Sequence, residues 1–140
     1  MAFLTDDDYR MVVGEAALKT IAQAGADVVE NAEAEAIEEI SGYLRPQYDV
    51  QKIFAQTGIE RNRQLVMHAC DIVLYHLTAA LPQRMGSEVR EERYKLAVKW
   101  LEDIQKGAIV PDLPAVTGGF DNDDPPGSQI RYGSSFTQIW

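Results

Sequence analysis

The sequence predicts an all-α fold: a small helical body over residues 1–110 and a long extended C-terminal arm over 111–140. Three observations predict it. Residues 59–81 are apolar around most of a helical circumference. The stretches on either side repeat apolar residues every three or four positions, between cap and stop signals. After residue 110 that period is lost, and proline and glycine take over.

The first helix opens at Thr5, an N-cap candidate, and Asp6, Asp7 and Asp8 suit the positive end of a helix dipole. It runs over about 6–13 and breaks at Gly14; Glu15–Ala24 continues as a second piece that ends at Gly25. Asp27 and Glu30 repeat the cap spacing and open a helix over about 28–44. Its core line is Val29, Ala32, Ala36 and Ile40, with Ile37, Tyr43 and Leu44 alongside. Its other side holds Glu30, Glu33, Glu35, Glu38 and Glu39, which read either as a solvated face or as an acidic surface facing a channel or a basic partner. Arg45-Pro46 closes the helix. Residues 46–58 form a loop with Tyr48, Ile53 and Phe54 tucked in.

The central helix, residues 59–81, starts from a capping-box spacing at Thr57 and Glu60 and stops at Pro82. Its polar groups make one narrow stripe: Arg61, Gln64, His68, Asp71, Tyr75 and Thr78. Arg61, Arg63, His68, Asp71 and His76 argue against a membrane span. Cys70 is a small core residue, and a lone cysteine fits a reducing compartment. Ser87 can cap the last helix, whose apolar positions are Val89, Leu96, Ala97, Trp100, Leu101 and Ile104. The stem of Arg93 is expected at the core edge with its head in water. Gly107 ends the helix.

Residues 111–140 hold Pro111, Pro114, Pro125 and Pro126 together with Gly118, Gly119, Gly127 and Gly133. Yet they also carry Ile130, Tyr132, Phe136, Ile139 and Trp140, too many large apolar groups for a solubilising tail. Thirty extended residues span up to roughly 100 Å, well beyond one small bundle. The segment is therefore expected to be an arm that docks on a neighbouring subunit or another protein.

Chemistry is sparse. His68 and His76 lie eight residues apart on one helix, about 12 Å along its axis, and cannot share a metal. No Glu-x-x-His pair, CxxC, HExxH, GxSxG or phosphate-binding loop occurs. His68 and Asp71, at i and i+3, are placed to hydrogen-bond, but no nucleophile accompanies them; His76 reads as a satisfied core histidine. No catalytic residue, cofactor or metal is assigned.

The net charge of −9 is uneven. Residues 1–60 carry 12 acids and 4 bases, residues 61–110 carry 6 and 8, and residues 111–140 carry 4 and 1. An acidic surface disfavours tight nucleic-acid binding. Asp6–Asp8 stand where the basic region of a signal peptide would be, so none is expected.

Several pieces resemble a known family: FLTDDDYR near the start, SGYLRPQYDV at a helix end, HACDIVLYHL in the central helix and VREERYKLAVKWLEDIQKGAI. Together, over about residues 3–110, they are similar to the head–tail connector proteins of tailed bacteriophages and prophages. These are the adaptor or head-completion proteins, a group that includes the Mu-like virion proteins. The resemblance implies a four-helix adaptor that forms a homo-oligomeric ring of typically twelve copies beneath the portal vertex. The ring extends the DNA channel and offers a platform to the tail or its stopper. It implies a virion protein of the head–tail junction, made in the bacterial cytoplasm, with DNA passing through unbound and no membrane partner. The arm residues Ile130, Arg131, Tyr132, Phe136, Ile139 and Trp140 would then grip the portal protein. The acidic residues Glu30, Glu33, Glu35, Glu38 and Glu39 would repel passing phosphates. From the residues alone, two other readings stand beside it: a small acidic regulatory or antitoxin-like module, and an enzyme built on His68 and Asp71.

Overall fold

A computed structural model describes residues 3–80 and 87–116. Five α-helices occur among them: α1 Asp6–Ala24, α2 Ala26–Leu44, α3 Val50–Ala55, α4 Arg63–Ala80 and α5 Ser87–Lys106. A 3-10 turn, Gly58–Glu60, lies between α3 and α4. The described chain holds no strand, only one isolated antiparallel bridge between Tyr48 and Ala115. The fold is all-α, with α4 in the middle and α1, α2 and α5 packed around it.

The cap at Thr5 forms as expected. Asp8 N–H donates to Thr5 Oγ1, and Thr5 N–H donates to Asp8 Oδ2 at 2.8 Å, so two free donors are satisfied reciprocally. The break at Gly14 is also present. Its φ of 80° and ψ of 178° fall in a region that essentially only glycine occupies, so α1 is two helical pieces joined at a kink. Gly25, with φ 96° and ψ 151°, uses the same freedom to turn directly from α1 into α2. For that reason α2 starts at Ala26 and the cap expected at Asp27 is not made: the Gly25 carbonyl accepts from Val29 N–H instead.

Two further expectations are corrected. The loop over 46–58 contains α3, capped by Asp49 Oδ1 accepting from Lys52 N–H at 3.2 Å; Ile53 is fully buried, as expected, and Tyr48 is buried. The central helix begins at Arg63, not at residue 59, because the cap is Asn62. Its Oδ1 accepts from Leu65 N–H at 3.0 Å, whereas Thr57 caps only the 3-10 turn, with no side-chain bond. Pro82 lies outside the described residues. At the far end, Gly107 N–H bonds Ile104 O and Ala108 N–H bonds Asp103 O, the Schellman arrangement that ends α5.

The core takes Ile40 and Leu44 from α2, Ile53 from α3, Leu65, Ile72, Leu74 and Leu77 from α4, and Leu101 and Ile104 from α5. Each such side chain contributes about 1.5–3 kcal/mol on burial. The kink at Gly14 lets the second half of α1 change direction. Gly14→Ala should force either strain or a straightened helix, lowering stability by about 1–3 kcal/mol. The urea midpoint measures it, and an unchanged midpoint would mean that this kink is not formed.

Candidate functional site: a basic, apolar groove beside a buried ion cluster

Burial of α4 places Asp71 in the interior at 2 % exposure. A bare carboxylate there would cost several kcal/mol. α5 supplies the compensation: Arg93 Nε donates to Asp71 Oδ1 at 2.8 Å, and Arg90 Nη1 lies 3.5 Å from the same oxygen. Arg90 is 7 % exposed, and sequence reasoning missed it. Burial lowers the Arg90 pKa from its ordinary value, and Asp71 works against that shift. The Arg93 head, expected in water, is bonded to the same carboxylate while its side chain stays 35 % exposed.

The expected pairing of His68 with Asp71 is not made, because Asp71 is taken by the arginines. The His68 ring lies against Trp100 instead, 4.8 Å between centroids. Burial lowers the His68 pKa, against the opposing pull of Asp71, so the imidazole is neutral at pH 7. His76 is half-buried, and its Nε2 is 3.0 Å from Glu39 Oε1. Cys70 is buried, as expected, and burial pushes its thiol pKa upward.

Inward rotation of Arg90 has a consequence for its neighbours. Val89 and Leu96, expected in the core, are 56 % and 63 % exposed. Residues 89 and 90 differ by about 100° around the helix, so burying one turns the other out.

The second charged cluster joins the N-terminus to the start of α4. Arg61 Nη1 donates to Asp8 Oδ2 and to Phe3 O, both at 2.6 Å, and Arg61 Nη2 donates to Asp8 Oδ1 at 3.2 Å. Phe3 in turn packs edge-on against Phe54, 4.9 Å between centroids. Burial raises the Asp8 carboxyl, but the Arg61 guanidinium and the Thr5 bonds outweigh it and hold the pKa below 3.8.

The five glutamates of α2 divide into two sets. Glu33 accepts from Tyr9 O–H, and Glu39 accepts from Tyr94 O–H at 2.6 Å as well as meeting His76. Burial raises the Glu33 carboxyl, with Tyr9 opposing the shift. Tyr9 and Tyr94 are themselves raised, first by burial and then by their glutamates. Glu30, Glu35 and Glu38 remain exposed.

Between α1, the 3-10 turn and α4 lies an open groove of about 710 Å³. Met11, Val12, Ile59, Val66 and Met67 supply its apolar surface, and Arg61, Arg63, Arg93 and Asp8 its charged groups, Arg93 coming from α5. Met11 is 81 % exposed and Ile59 fully so. Arg63 makes no ion pair among the described residues. Neither α2 nor α3 contributes a lining residue.

The first residues of the expected arm are held on the body. Asn62 Nδ2 donates to Asp112 O at 3.2 Å, Asp49 N–H to Pro114 O at 2.9 Å, and Val116 N–H to Gln47 O at 3.1 Å. Ile130, Arg131, Tyr132, Phe136, Ile139 and Trp140 lie outside the described residues. Among the described residues, no group of three or more His, Cys, Asp or Glu is placed to hold a metal ion. No helix there is long and apolar enough to cross a membrane.

These features define a small helical protein whose polar interior serves packing and whose unpartnered surface is a groove. The family model described as Bacteriophage Mu, Gp36 matches residues 3–125, and the chain belongs to that family. Membership makes it a Mu-like phage protein, of the structural or assembly-related kind. No curated protein and no solved structure matches the chain.

Two outcomes test the charged clusters. Asp71→Ala leaves Arg90 buried beside no carboxylate and should cost about 3–5 kcal/mol in urea unfolding; Asp71→Leu combined with Arg90→Met should recover most of it. The Asp8 pKa is depressed, so its contribution is complete above pH 3.8 and is lost as pH falls through the lower folded value. Arg61→Ala should therefore lower stability at neutral pH and flatten the acid limb of the stability–pH curve. A limb that is just as steep would remove Asp8–Arg61 from the account.

Proposed function

We propose that this protein is a head–tail connector adaptor: a ring of identical copies beneath the portal vertex that extends the DNA channel and joins capsid to tail. The single observation that carries the reading is the family match over residues 3–125, which spans all the long helices and the held segment 111–116. A body stiffened by buried ion clusters suits a spacer that must keep its shape. Residues 117–140 are the docking arm of that ring, reaching outside their own body. The exposed carboxylates Glu30, Glu35 and Glu38 face the channel, where negative charge keeps the DNA backbone from being trapped. Glu33 and Glu39 are half-buried and hydrogen-bonded to Tyr9, Tyr94 and His76; of the exposed three, Glu38 lies 3.5 Å from Arg45 Nη2 and Glu35 4.0 Å from His76 Nδ1.

The test is an image of the intact particle with this chain labelled. Copies should encircle the channel axis at the junction of head and tail, in a closed ring of about twelve. Label found in the capsid shell or along the tail, or copies that do not surround an axis, would overturn the reading.

A further inference from the structure

We infer that the groove between α1, the 3-10 turn and α4 receives the C-terminal arm, residues 117–140, of a second copy of this chain. The residues left the arm a neighbouring subunit or another protein, and the resemblance gave it to the portal; the groove offers it a surface on the protein itself.

Four observations carry the inference. The groove needs an apolar occupant, since Met11, Ile59 and Met67 all stand exposed in or beside it. Methionine-rich surfaces adapt to irregular partners and make favourable contacts with aromatic rings. The arm holds the large apolar groups that such a surface lacks: Ile130, Tyr132, Phe136, Ile139 and Trp140.

Charge agrees. In a chain of net −9, the groove is lined by three arginines and one aspartate; Arg61 is paired with Asp8 and Arg93 with Asp71, and Arg63, with no ion pair among the described residues, is the cation left for an occupant. After Phe120 the arm brings Asp121, Asp123 and Asp124 ahead of Tyr132, Phe136 and Trp140, with Arg131 as its sole base. An acidic run followed by aromatic anchors matches a basic rim around an apolar floor.

Length permits it. The 24 residues from 117 to 140 reach roughly 80 Å when extended.

The point of attachment favours a second copy. Asp112 is held at Asn62, next to the groove residues Arg61 and Arg63. Over the next four residues the chain crosses to Gln47–Asp49, between α2 and α3. Those elements contribute nothing to the groove. Val116, the last described residue before the arm, is therefore bonded at residues that do not line its own groove. A contact of arm to groove between copies is head-to-tail, the kind that closes into a ring when the rotation allows it. The inference rests on reading residues 117–140 as an arm that docks outside its own body.

The experiment uses the full chain with Phe136 replaced by a photo-reactive benzoylphenylalanine, mixed from isotopically light and heavy preparations and irradiated. Cross-linked peptides are identified by mass. The expected result is a link from position 136 to peptides bearing Met11, Ile59 or Met67, with light–heavy pairs present. Its yield should fall about tenfold in Met11→Glu, the equivalent of about 1.4 kcal/mol of docking. Met11 is so exposed that this change leaves the thermal midpoint in place, which a melting curve checks. Links confined to one isotope would mean that the arm folds onto its own groove and would overturn the inference. So would links elsewhere on the chain, no links at all, or a yield indifferent to Met11→Glu. None of those outcomes touches the position of the ring in the particle, which the labelled image decides separately.

Discussion

The structure depends on one carboxylate. α4 is buried on nearly its whole circumference, and Asp71 sits inside it at 2 % exposure. A charge in that position is tolerated only with hydrogen-bonded partners of opposite sign. α5 has to provide them, and does so through Arg90 and Arg93. That requirement fixes the rotation of α5 about its own axis. Trp100, Leu101 and Ile104 then point inward, while Val89 and Leu96 are left at the surface. The apolar stripe of Ala97, Trp100, Leu101 and Ile104 asks for the same rotation, so packing and electrostatics agree, and only Val89 and Leu96 are left outside.

The same logic organises the other end of the molecule. Arg61 binds Asp8, the Phe3 carbonyl and the Gly58 carbonyl, so one guanidinium ties the chain start, the 3-10 turn and the entry to α4. The floor of the groove is the by-product: with α1 kinked at Gly14 and pinned through Asp8, Met11 and Val12 stand over Ile59, Val66 and Met67. The acidic side of the molecule is likewise divided by internal demand. Two glutamates of α2 hold tyrosines, and three are left to face outward.

Inside the body Asp71 is spent on Arg90 and Arg93, while His68 Nδ1 and Trp100 Nε1 are buried without a hydrogen-bond partner among the described residues. What the body leaves uncovered at its surface is an apolar groove with arginines at its edge. Exposed apolar surface rimmed by charge is the kind of surface that partners cover.

The sequence by itself determined the helices and their centre. Apolar period, the Thr5 cap and the glycines at 14, 25 and 107 act locally, over one or two helical turns, and local signals survive in a one-dimensional reading. Cys70, Ile53 and the α2 core line were legible for the same reason. The family, too, was visible in the patterns of core and cap residues. Only the tertiary structure decided which charges are interior. Arg90, the bond from Arg93 to Asp71 and the separation of His68 from Asp71 depend on a partner 19 to 22 residues away on another helix. The caps of α4 at Asn62 and of α3 at Asp49 are local three-residue bonds; what the tertiary structure adds is that the same two residues also hold Asp112 O and Pro114 O. The groove is drawn from three separate stretches of chain, and no local pattern records which side chains a fold brings together from such distances.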